Sequence, residues 1–270
     1  MKYPDIAEQY LAERRVSTHY AACVRRVAKR CPTPTVEKLN RYLMLRLNNA
    51  AGTTVKFERT ILLSLWRWAY DRSLVEIAPR GVARLKARRK PTKAWSQEQI
   101  RDAINATHAH DSQRLRSGAS LGRMLRAWSL LGYECGGRYG DLWSLTAASL
   151  DGDAISWTQS KTGDPIVRIL TPTCLTAVRE MLADSPDGRI LGWACQRRQA
   201  MRLMREHLDR CGIGGTSKWL RRSGATHIEI NEPGKARHHL GHRTAGLAER
   251  NYIDWSQVRA NAPRTPDLMG

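Results

Sequence analysis

Tyr252 is the only tyrosine after Tyr139, so a phenolic nucleophile in the C-terminal half of this chain would have no substitute. A series of cations precedes it. Arg138 lies in CGGRYGDLWSL, with glycines before it and Asp141 three residues after it. On a helix that spacing puts both on one face, where the carboxylate can hold the guanidinium; it is equally the spacing of an ordinary surface ion pair. Lys161 occupies QSKTGDP, whose Gly163 and Pro165 favour a turn. Lys218 and Arg221 are three apart in KWLRRSGATHIEI, and Leu240, Gly241 and His242 precede AERNYID, which carries Tyr252. Attack on a phosphodiester builds negative charge on its non-bridging oxygens. Preorganised guanidinium, ammonium and imidazole groups can stabilise that charge without a metal.

Other chemistries fit the residues poorly. The stretch GIGGTSK (212–218) lacks the Gly-Lys-Ser/Thr order that cradles a triphosphate, and reads as a turn between helices. His238 and His242 are four apart, but neither a carboxylate nor a third ligand accompanies them, and no carboxylate cluster suited to Mg²⁺ is visible. There is no G-x-S-x-G nucleophile elbow. Cys23, Cys31, Cys135, Cys174, Cys195 and Cys211 form no CxxC pair, which implies reduced thiols rather than a disulfide framework or zinc site. The expectation is an activity with no metal and no other cofactor.

Side chains spread over more than a hundred positions need a frame to converge. The 270 residues suffice for two domains, and the apolar periodicity predicts a mainly α fold. From 5 to 72 the pattern is helical. Ile6, Tyr10 and Leu11 mark the first helix; Ser17 and Thr35 can cap the second and third; a fourth runs from about Thr54 with Phe57, Ile61, Leu62, Leu65, Trp68 and Ala69 on its apolar face. Residues 1–78 are thus expected to form a four-helix domain. The segment 79–95, PRGVARLKARRKPTKAW, is basic and lacks a sustained apolar face, so it reads as a linker that either follows a phosphate backbone or remains a solvated tether.

The second domain is expected over 96–270. Ser96 and Gln99 make a capping-box start, and a helix covers Leu121 to Tyr133. One antiparallel hairpin pairs Ala154–Thr158 with Ile166–Leu170 and carries Lys161 at its tip. Helices follow at Thr173–Ala183 and Gln196–Cys211, with shorter pieces from Ser217 and a Pro-broken tail, RANAPRTPDLMG.

Composition points to the partner. Lys and Arg number 45 against 25 Asp and Glu, a formal charge of +20, and 35 of the cations are Arg. Arg forks pair bidentately with phosphate oxygens, so nucleic acid is the leading partner, although high-GC codon usage would also enrich Arg. No window is apolar enough to span a membrane and the N-terminus has no apolar signal region, so a soluble, cytoplasmic, nucleoid-associated chain without a membrane partner is expected.

In unbroken order, CGGRYGDL, SKTGD, KWLRRSGATH, HLGHR and ERNYID resemble the signature of the tyrosine recombinase (phage integrase) family: x-G-x-R-x-x-E/D-L, a β-hairpin lysine, H-x-L-R-H-T-x-A-T-H, L-G-H and a C-terminal tyrosine. The likeness spans 135–255, and the N-terminal helical segment is similar to the family's core-binding (SAM-like) domain. It implies that Arg138 and Arg221 clamp the scissile phosphate. Lys161 would protonate the leaving 5′ oxygen, His242 would donate to the phosphate, Tyr252 would be the nucleophile and Asp141 the buttress of Arg138. Two departures stand out. Lys218 replaces the usual first His, and Tyr252 lies ten residues beyond His242, about one more than is common, which calls for a slightly longer loop before the tyrosine helix.

The resemblance further implies a compact two-domain recombinase without an extra arm-binding domain. It would cut and rejoin double-stranded DNA through a 3′-phosphotyrosyl intermediate, without metal or ATP, as four protomers on two sites. The tail from Trp255 is the candidate for docking on a neighbour. Two alternatives stand beside this reading: a DNA-binding or architectural protein that keeps the fold without turnover, and a topoisomerase-like nicking-closing enzyme.

Overall fold

A computed structural model describes residues 1–86 and 91–258 and forms two compact units, 1–90 and 91–270. In the first, four helices pack around one core: α1 (Tyr3–Ala12), α2 (Thr18–Arg30), α3 (Val36–Leu47) and α4 (Gly52–Tyr70). The Ser17 and Thr35 hydroxyls accept the Tyr20 and Lys38 backbone N–H groups, satisfying donors that the helix starts leave free. Ile6, Val24, Leu39, Leu43, Leu62 and Trp66 are buried between them. Phe57 departs from its expected inward position and is 46% exposed. Glu58, one residue on, takes the inward place, its carboxylate receiving Tyr42, Arg30 and Arg46.

Both ends of the 79–95 stretch are packed rather than free. Val82 and Leu85 lie against the first core, Arg59 donates to the Ala83 and Val82 carbonyls, and the Asn40 side chain accepts the Ala83 N–H. Trp95 is buried in the second core, with its indole N–H on the Gly214 carbonyl. These apolar residues, scattered among cations, form no periodic face, yet Trp95 is buried and Val82 and Leu85 are partly so. Residues 87–90 at the centre of the stretch lie outside the described residues, as does the tail 259–270.

The second unit begins with α5 (Gln97–Ala106), started by the Ser96/Gln99 capping box, and continues through α6 (Leu121–Glu134) and α7 (Tyr139–Trp143). A three-stranded antiparallel sheet follows, β1 (Leu150–Asp151), β2 (Ala154–Thr158) and β3 (Pro165–Ile169). The expected hairpin is β2–β3; β1, two residues long, is too short to carry a pattern. Then come α8 (Pro172–Ala183), α9 (Arg197–Arg210), α10 (Lys218–Asn231), α11 (Ala236–His239), α12 (Ala245–Asn251) and α13 (Trp255–Val258).

The buried α6 is the centre of this unit and packs against both α8 and α10. Where shorter pieces were expected after Ser217, α10 runs for 14 residues. Its Ser-Gly-Ala-Thr stretch weakens the apolar signal because small residues are needed there: a Cβ on Gly224 would overlap the Tyr133 carbonyl of α6, and Gly132 of α6 faces Leu220. Among the described residues, no helix is long and apolar enough to cross a membrane.

Candidate active site

The close approach of α6 and α10 brings the residues after α6 beside the first turns of α10. Gly136 turns the chain with a φ of +56°, a conformation that favours glycine, and Arg138 then occupies the N-cap of α7. Arg221, on the second turn of α10, is only 4% exposed. Its guanidinium donates to the Gly136 carbonyl, to the Leu240 carbonyl at 3.0 Å and to His242 Nε2 at 3.2 Å. Burial, with the nearby Arg138 charge, pushes its pKa down to about 10, against an opposing contribution from Tyr252. It therefore remains a cation at neutral pH, held by neutral acceptors.

An imidazole nitrogen that accepts from a guanidinium is unprotonated, so the proton of neutral His242 sits on Nδ1. Burial first, then the charges of Arg221, Arg138 and Lys161, push the His242 pKa down to about 4. The Tyr252 ring completes the group. Its centroid is 4.9 Å from the Arg221 guanidinium carbon and 5.1 Å from the His242 ring.

Tyr252 caps the C-terminus of α12, where its carbonyl accepts the Thr226 hydroxyl at 3.4 Å. The span between His242 and Tyr252 holds a short link and the seven-residue α12, and the tyrosine follows that expected helix rather than lying within it. A small cluster of Ala225, Ala236, Leu240, Ala248 and Ile253 fixes this segment to α10 and α11. His238 lies within α11 whereas His242 follows Gly241, whose φ is +60°, so the two histidines do not share a helix face.

One cavity of about 390 Å³ is lined by Arg138, Lys218, Arg221 and Tyr252, with Trp128 and Met201 among its walls. Lys218 is the exposed first residue of α10. Lys161 is exposed in the β2–β3 turn. Asp141 is buried at 2% exposure, but it grips Arg138 less closely than its spacing suggests: the ion pair is 3.9 Å, while its Oδ1 accepts the Ser160 hydroxyl at 2.6 Å and the Ser160 N–H at 3.1 Å. It chiefly fastens the hairpin turn to α7. Arg138 instead donates to Gln159 Oε1 at 2.8 Å.

Gln159 and Ser160 directly precede Lys161, and that adjacency is the one sequence signal that could have singled them out. The carbonyls of Gly136 and Leu240, which orient Arg221, leave no trace in side-chain chemistry. Among the described residues, no group of three or more His, Cys, Asp or Glu side chains is placed to hold a metal ion.

The sequence matches no protein-family model and no curated protein. Solved structures do match. A lambda integrase dimer bound to a COC′ core site superposes with a TM-score of 0.76 at 16% identity, covering 92% of this chain and 97% of that one. A lambda integrase tetramer bound to a Holliday junction gives 0.71 at 17% identity, covering 91% and 78%. The Tn1549 transposon integrase in complex with circular intermediate DNA gives 0.71 at 10% identity, covering 98% and 100%. The chain has the tyrosine recombinase fold.

Proposed function

We propose that this protein is a site-specific tyrosine recombinase that cleaves and rejoins duplex DNA through a 3′-phosphotyrosyl intermediate. The observation that carries the reading is the buried Arg221 guanidinium, packed against the Tyr252 ring and bonded to His242 in a cavity shared with Arg138 and Lys218. Such a cluster is preorganised for an oxyanion and does not need to reorganise as charge develops.

In this mechanism Tyr252 Oη attacks the phosphorus and gives up its proton to solvent as the new O–P bond forms. The bond to the 5′ oxygen breaks, and Lys161 protonates that oxygen. Arg138 and Arg221 hold the non-bridging oxygens, His242 donates a hydrogen bond from Nε2 once the phosphate takes the place of its Arg221 contact and the ring proton moves to that nitrogen, and Lys218 adds a fixed positive charge. The phosphotyrosine conserves the energy of the broken bond, so a 5′ hydroxyl can reverse the reaction without ATP. The two units bind duplex DNA, with the basic 79–95 stretch following its backbone, and the protein acts as four protomers on two sites.

The test is a nicked suicide duplex carrying an inverted repeat from the DNA flanking the gene, verified by nuclease protection. Wild type should become attached to the 3′ phosphate as a denaturant-resistant adduct, and Tyr252→Phe should bind the same duplex without forming one. An undiminished adduct from the Phe variant would remove Tyr252 from the role. A protected site that wild type never cleaves would favour an architectural protein.

A further inference from the structure

Gln159 is a buried polar side chain to which the proposed mechanism assigns no part. It is 2% exposed, and both the oxygen and the nitrogen of its amide are engaged. Oε1 accepts from Arg138 Nη1 at 2.8 Å and from the Thr162 hydroxyl at 2.9 Å; Nε2 donates to the Leu240 carbonyl at 3.2 Å. That same carbonyl accepts from Arg221 Nη2 at 3.0 Å. The Gln159 backbone meanwhile closes the turn that carries Lys161, its carbonyl accepting the Gly163 N–H at 2.8 Å. A Cβ on Gly241 would overlap Nε2, so the glycine of Leu-Gly-His leaves the space this amide fills.

We infer, building on the recombinase reading, that Gln159 is a positioning residue that aligns Arg138 and Arg221 with each other and with the Lys161 turn. The amide suits this task for two reasons. It offers an acceptor and a donor at one end, so one group can face a guanidinium and a carbonyl together. It is also uncharged, so it orients Arg138 without neutralising the cation that the phosphate requires. A carboxylate here would cancel that charge and could not donate to Leu240, while an apolar side chain would leave both partners unpaired.

The experiment compares single-turnover adduct formation with DNA affinity on the nuclease-verified suicide duplex. Gln159→Met, close to Gln in shape, should slow cleavage by about 100-fold, the order expected from misplacing a reacting group by about 1 Å, with affinity changed less than about 3-fold. Gln159→Glu should slow it at least as much despite its matching volume. The deciding measurement is the double variant. If Gln159 acts by aligning the guanidiniums, adding Gln159→Met to Arg138→Ala should slow cleavage by clearly less than the loss in the single variant, because only the alignment of Arg221 and the Lys161 turn is left to disturb, whereas a general structural role would multiply the two losses. Wild-type cleavage by either single variant overturns the inference, as does full multiplication in the double variant. Should Gln159→Met lose its folded far-UV spectrum, Gln159→Glu carries the comparison by the same criteria. Absence of a wild-type adduct would remove the recombinase reading and this inference together; normal wild-type cleavage with unaffected Gln159 variants removes the inference alone.

Discussion

Lys218, exposed at the cavity that Arg221 and Tyr252 also line, occupies the place where the family pattern has His. Ammonium and imidazole can each donate to a phosphate, but their ordinary pKa values, about 10.4 and 6.5, separate a fixed charge from a proton carrier. As a fixed charge, Lys218→Arg should retain substantial adduct formation, Lys218→Gln should lose most of it, and Lys218→His should be intermediate and improve at low pH. If Lys218→Arg is as inactive as Lys218→Gln while Lys218→His is fully active above about pH 7.5, proton transfer is the role. His239 offers a separate test by stability. Its ring is buried against Gly136 and Gly224, and burial, reinforced by Arg168 and Arg221, pushes its pKa down to about 3. The unfolded chain would therefore bind a proton below about pH 6.5 that the folded chain does not. Stability from this group is complete above that pH and falls by about 1.4 kcal/mol per unit as pH drops toward the folded value. Urea titrations from neutral pH to about pH 4.5 should show a shallower decline in His239→Gln than in wild type; equal slopes would refute the linkage.

At the scale of elements, the close crossing of α6 and α10 sets the distance between the two halves of the cluster. Gly224→Ala forces a methyl group toward the Tyr133 carbonyl, and overpacking of this kind costs about 1–3 kcal/mol. Because Lys218 and Arg221 ride on the same helix, the shift should also slow adduct formation beyond what the lost stability explains at a temperature where the variant remains folded. Ser223→Ala, on the neighbouring residue, provides the contrast: its hydroxyl accepts the Trp95 N–H at 2.8 Å. That change should lower the melting temperature while leaving the cleavage rate of folded protein within about 3-fold. Identical rate losses in the two variants would show that α10 placement is not specifically disturbed by Gly224.

At the scale of the whole molecule, the +20 formal charge predicts binding dominated by phosphate contacts. Affinity for a verified site should fall linearly on a log–log plot against salt, by about 10³–10⁵ between 50 and 200 mM if six to ten phosphates are neutralised. Fluorescence anisotropy over that range measures the slope; a flat plot would contradict phosphate-led binding. With affinity matched for ionic strength, adduct formation should persist in excess chelator if, as proposed, the Arg138, Lys161, Lys218 and Arg221 cations supply the charge that a divalent ion would otherwise bring. Strict dependence of the chemical step on added Mg²⁺ would sink the cation-cluster mechanism.

The ordering of short polar motifs along the chain marked Arg138, Lys161, Lys218, Arg221, His242 and Tyr252 as candidates, because each of these residue types carries its chemistry in its own side chain; folding lines one cavity with Arg138, Lys218, Arg221 and Tyr252. Local capping at Ser17, Thr35 and Ser96 and the β2–β3 turn were legible for a similar reason: their hydrogen bonds close within three to five residues. Packing decided the rest. Phe57 turned outward because buried Glu58 found Tyr42 and Arg46 on another helix, and Trp95 left its basic surroundings for a core assembled from distant segments. α10 read as one of several shorter pieces in the sequence because its glycine serves α6, a neighbour about ninety positions away. Gln159 had no standing as a site residue until folding placed its amide between Arg138 and the Leu240 carbonyl, 81 positions apart from it in the chain. Such partnerships depend on geometry between segments, and the identity of a single residue contains no record of which acceptor the fold will bring within 3 Å.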